Sequence, residues 1–134
     1  MNEIDLVEAA RGAVFVAIAA GLAATDAVAL DHVPQDQEGN FVQIDDLDWS
    51  NEGGKHDPEL RIVVDVVTIY RGENRSELLA IMHANHRALI DAPIAAEGVA
   101  ITGVQLLAGS ASGAGLDGLT YAGLQSFELF AEPA

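Results

Sequence analysis

The chain has 134 residues, half of them hydrophobic but only 5% aromatic, with no cysteine and a formal charge of −15 from 21 Asp and Glu against six Lys and Arg. That length suits one domain burying about two thirds of its unfolded surface, and the apolar fraction excludes disorder over most of the chain. The charge disfavours free binding to nucleic acid or an anionic membrane surface, and the missing thiols exclude disulfides and thiolate metal sites.

A mean hydropathy of +0.23 beside that charge points to apolar surface in excess of one small core, and so to oligomerisation. The core is expected to be mostly Ala, Val, Leu and Ile, with Phe15, Phe41, Trp49, Tyr70, Tyr121, Phe127 and Phe130 as its large pieces.

From Ile4 to about Ala24, the residues Val7, Ala10, Val14, Ile18 and Leu22 recur at three- and four-residue steps. Glu3, Asp5 and Glu8 load the first turn, where the helix dipole favours negative charge, so this segment reads as an amphipathic helix. Its apolar run Ala13 to Ala24 follows acidic residues where a signal peptide needs a positive segment, and it is shorter than the ~20 residues that span a bilayer. It is therefore expected to be a helix of the mature protein, with no membrane role.

Asp31 to Asp36, with Pro34, and the Gly39-Asn40 pair read as an exposed connector. Phe41 to Trp49 alternates as a strand whose far end turns acidic, and Ser50 to Pro58, with Gly53 and Gly54, reads as a flexible loop. Leu60 to Arg71 places Leu60, Ile62, Val64, Val66 and Tyr70 on one face and Val63, Val67 and Ile69 on the other. Apolar residues on both faces predict a central strand.

Asn74, followed three positions later by Glu77, predicts an N-cap with its reciprocal partner, opening a helix to about Ile90. Leu78, Ile81, Met82, Leu89 and Ile90 are its expected buried stripe, and Asp91 and Pro93 end it. Two further strands, Val99 to Leu107 and Leu119 to Phe130, are separated by the Gly- and Ser-rich stretch Ala108 to Gly118, long enough to be mobile. The order predicts a single α+β domain over residues 1–134: a mostly antiparallel sheet of about four strands with two helices packed on it.

No catalytic set emerges. His83 and His86 stand three apart on the second helix, a spacing some metal sites use, but nothing completes a ligand set and the pair reads as partly exposed helix histidines. Asp45, Asp46, Asp48 and Glu52 lack the spacing and turn glycine of a calcium loop and read as a solvated strand end. Gly109, Gly113, Gly115 and Gly118 lack a phosphate-loop pattern, and no basic residue follows Arg87. Ser110, Ser112 and Ser126 have no nucleophile elbow and no histidine after His86 to serve them. No cofactor, metal or catalytic residue is therefore expected. Arg61, Arg71 and Arg75, around the ends of the long strand, are candidates to pair with carboxylates of a neighbouring subunit, solvent-exposed arginines being the plain alternative.

The succession of segments carries a resemblance. It runs from the N-terminal helix through the connector DHVPQD at Asp31 to Asp36 and the strand FVQI at Phe41 to Ile44. The long strand LRIVVDVVTIYRG at Leu60 to Gly72 then leads straight into ENRSELLAIMHANHRALI at Glu73 to Ile90, and the closing segment is DGLTYAGLQSFELFAE at Asp117 to Glu132. In that order the chain resembles the tail terminator, or head–tail joining, proteins of long-tailed bacteriophages and gene transfer agents. It departs from them at Tyr70, where many relatives carry Trp, and in its sparse basic residues.

The resemblance implies a structural subunit of a ring, typically hexameric, that caps the head-proximal end of a tail tube, ends tube polymerisation and joins the tail to the head connector. Its partners would be its own copies, the tail tube protein and the connector, with DNA passing through the lumen without specific binding. The place of action would be the neck or tail of a particle assembled in the host cytoplasm. Arg61, Arg71, Arg75, Tyr70, Trp49, Ser110, Gly113 and Leu116 are the residues expected at its contacts. The residues taken alone leave open a small-molecule-binding or enzymatic domain and a protein–protein adaptor.

Overall fold

The computed structural model describes residues 5–54 and 56–134. The elements are α1 (Leu6–Gly21), β1 (Val28–Leu30), β2 (Phe41–Asn51), β3 (Leu60–Arg71), α2 (Arg75–Ile90), β4 (Val99–Ala111) and β5 (Thr120–Pro133). They form an α+β fold whose five strands lie in the order β1-β2-β3-β5-β4. Among the described residues only the β1–β2 pair is parallel.

The expected α+β class and central position of Leu60 to Arg71 both hold. One strand more than expected is present: β1 is three residues long, too short to show a period, and lies where no element was expected.

Asp5 caps α1, its carboxylate accepting the Glu8 amide at 3.0 Å. Glu3 and Ile4, expected in that first turn, lie outside the described residues. Ala10, Ala13, Val14 and Ile18 turn inward, followed beyond the helix by Leu22. Asn74 caps α2 as predicted, accepting the Glu77 amide at 3.3 Å. The Glu77 carboxylate instead accepts from the Tyr70 hydroxyl, tying the start of α2 to the end of β3. Of the stripe expected on α2, Leu78, Ile81, Met82 and Leu89 are buried, but Ile90, in the last turn, is 37% exposed.

The core lies between the two helices and one face of the sheet, where Ile62, Val64 and Val66 of β3 and Phe127, Leu129 and Ala131 of β5 are fully buried. Burial of this kind stabilises by roughly 1.5–3 kcal/mol per large apolar side chain. Gly123 lets α2 approach β5, since a Cβ there would lie 2.4 Å from Met82 Sδ. A polar link crosses the same contact: Asn85 Nδ2 donates to Thr68 Oγ1 at 3.2 Å and to Gln125 Oε1 at 3.3 Å, and Gln125 Nε2 donates to the Met82 carbonyl at 2.9 Å.

Candidate assembly surface

Strand registers fix what stands at each end of the sheet. Leu60 pairs with Ala131 and with Asn51, and Arg71 pairs with Thr120. The Leu60 end therefore carries the β2–β3 loop, Trp49 and Arg61, whereas the Arg71 end carries the β4–β5 loop, the start of α2 and the connector before β2. The contact residues expected from the sequence thus divide into two groups at opposite ends.

At the Leu60 end, Trp49 is 57% exposed and, with Asp48, Ser50, Arg61 and Val63, lines a shallow cleft. Its expected place in the core is not borne out. Register puts it on the face of the fully buried Ile62, but at the far end of β2 its ring remains largely in solvent.

Arg61 was a candidate partner for a neighbouring subunit's carboxylate, yet it is satisfied within its own chain, 2.6 Å from Glu128. Gln105 donates to the other Glu128 oxygen at 2.9 Å, so this carboxylate of β5 is held from two sides. Charge-assisted bonds offset the desolvation that such a partly buried group suffers.

At the Arg71 end, Tyr70 is buried in the chain's own core and presents no free side chain for a contact. The Arg71 amide donates to Asn40 Oδ1 at 2.8 Å, tying the connector to β3, and the Arg75 guanidinium lies close to Gly113. Leu116 is fully exposed.

The stretch Ala108 to Gly118, expected as a loose loop, is strand to Ala111 and then a tied turn. Ser112 Oγ accepts the Ala122 amide and the Gly115 amide donates to the Thr120 carbonyl. The Asp117 carboxylate accepts from the Leu119 and Thr120 amides and the Thr120 hydroxyl. The Thr120 hydroxyl foremost, then the two amides, hold the Asp117 carboxyl down to about 2. Leu116 is therefore presented on a braced turn. Ser110, on β4, pairs with Leu124 across the face of the sheet opposite the helices.

The His83 and His86 rings stack 6.4 Å apart, and His86 leans on Phe127. No cluster of three or more His, Asp or Glu side chains placed to hold a metal occurs among the described residues. Asp45, Asp46 and Asp48 are exposed along the outer edge of β2 beyond the reach of β1. Ser126 donates to Asp65 at 2.6 Å. No helix among the described residues is long and apolar enough to cross a membrane.

The sequence matches no protein family and no curated protein. Among solved structures, it is similar to a chain of the virion of a native gene transfer agent particle. The two share 18% sequence identity and superpose with a TM-score of 0.76 over 97% of this chain and 99% of that one. The likeness is one of fold, and it extends from end to end of both chains.

Proposed function

We propose that the chain is a structural subunit of a phage-like particle, forming a ring that caps the head-proximal end of a tail tube and joins it to the head connector. The observation that carries this reading is the fold likeness to a gene transfer agent virion chain, over 97% of this chain and 99% of that one. The order of segments from the N-terminal helix to the closing strand, which resembles the tail terminator proteins, supports the position within the particle.

Two features suit the role. Loops at opposite ends of the sheet give the subunit two different ends, one to meet the tube and one to meet the connector. A net charge of −15 lets DNA slide through a ring without adhering to it. On this account the protein forms contacts and makes or breaks no covalent bond.

Particles assembled without this chain test the proposal by electron microscopy. The expected result is filled heads separate from tails, with tubes of irregular length. Intact particles with tails of uniform length would overturn it.

A further inference from the structure

The two longest charge-free runs in this acidic sequence are residues 12–25 and 98–116. Each places an uncovered apolar surface on a different element of the fold. Residues 98–116 contain β4, an edge strand of 13 residues that among the described residues pairs only with β5. Sheet edges are ordinarily guarded by shortness, charge or distortion. The other side of this sheet is guarded that way: β1 has three residues, and beyond it β2 carries Asp45, Asp46 and Asp48 with a register shift between Ile44 and Leu47. On β4 no charge stands guard, and the adjacent Leu106 and Leu107 are 39% and 44% exposed.

The distortions of β4 decide what can cover it. Register shifts at Thr102/Gln105 and Leu106/Ala108, with Gly103 at φ +64°, interrupt the regular ladder a second strand would need. A helix laid along the edge needs no such ladder.

Residues 12–25 supply that helix. α1 buries Ala10, Ala13, Val14 and Ile18 on its inner side, yet beyond Glu8 and Arg11 its outer side is also apolar: Val16 is 67% exposed, Ala19 and Ala20 are exposed, and so is Ala23 in the turn that follows the helix. A helix apolar all round is ordinarily covered on both sides.

We propose that the outer face of α1 in one copy covers the β4 edge of the next, with Leu106 and Leu107 lying on the low surface of Val16, Ala19, Ala20 and Ala23. Charge selects a second copy as the occupant. Two chains of −15 repel wherever carboxylates face each other, and these two surfaces have none, whereas a basic partner would be drawn to the acidic surface instead. Because two different surfaces meet, the contact repeats head to tail and can close into a ring. The proposal rests on the ring reading and names the surfaces that build it.

The chain has no cysteine, so full-length protein carrying both Val16→Cys and Leu107→Cys tests the contact directly. Under mild oxidation the double variant is expected to give a ladder of disulfide-linked chains on a non-reducing gel, and each single variant is expected to stay unlinked. A double variant that stays unlinked, or a single variant that links as well, overturns the head-to-tail contact. Val16→Glu and Leu107→Glu, both at exposed positions, give a second test. Each alone is expected to be monomeric, and an equal mixture to form one-to-one dimers through the intact pair of surfaces. Assemblies of wild-type size in both variants overturn the contact while leaving the ring reading standing. A wild-type protein that stays monomeric in the presence of tail tubes overturns both.

Discussion

The Arg61 guanidinium lies 2.6 Å from the Glu128 carboxylate, a diagonal contact from β3 to β5 on the face of the sheet that no helix covers. Glu128 is almost buried whereas Arg61 is partly exposed, so the two ends of the pair are unequal. Removing the arginine strands a carboxylate that has lost much of its water; removing the carboxylate leaves a cation that can still reach solvent. Arg61→Leu is expected to cost about 1–3 kcal/mol in urea denaturation, more than Glu128→Gln, whose amide oxygen still accepts from Arg61 while its NH2 faces Gln105, an amide that can turn to present its own oxygen.

The Asn85–Gln125 link predicts a similar asymmetry at the contact of α2 with the sheet. Gln125→Leu leaves the buried Asn85 amide with Thr68 alone and the Met82 carbonyl without its side-chain donor, a loss of about 1–3 kcal/mol. Replacing Asn85 and Gln125 together with leucine is expected to cost less than the sum of the single changes. A double-mutant cycle by thermal or chemical denaturation checks this.

Glycines separate by the space around them. A Cβ at Gly12 meets nothing within 4 Å, so Gly12→Ala in the helix interior is expected to stabilise by about 0.5–1 kcal/mol. A Cβ at Gly21 would lie 2.7 Å from the Ala88 Cβ, where the two helices cross and neither side chain can swing away. Gly21→Ala is therefore expected to destabilise, by about 1–3 kcal/mol, in the same denaturation assay.

The Asp117 turn has a stated pH window. Its folded pKa is depressed to about 2, below the ordinary value of 3.8, so its contribution is present above that ordinary value and is lost as pH falls through about 2. Carboxyl NMR is expected to show Asp117 still ionised at pH 3. Asp117→Ala should loosen the turn that presents Leu116, weakening tail joining while leaving the sheet and the subunit assembly intact.

Regular, well-patterned elements were legible from residues alone. Leu60 to Arg71 carries apolar side chains on both faces and sits in the centre of the sheet, and the Asn74 cap marks the start of α2. Three features were not legible, each for a physical reason. β1 is held by its parallel neighbour β2, a tertiary pairing that three residues cannot announce. β4 runs on into Gly109 and Ser110 because its partner β5 supplies hydrogen bonds that override their turn preference. Trp49 looks like a core residue by type, and only the register shows that it stands at a strand end with its ring half out. Of the expected contact residues, Arg61 and Tyr70 have intrachain partners, Glu128 and Glu77, that no local pattern announces because they lie on other elements.

The most direct test of the central claim is the absolute mass of the purified chain by light scattering during size-exclusion chromatography, across a concentration series and with tail tubes added. The account predicts a closed multiple of the 14.0 kDa chain, visible as a ring by negative-stain microscopy. A mass of one chain at every concentration, with tubes present as well as absent, would contradict it.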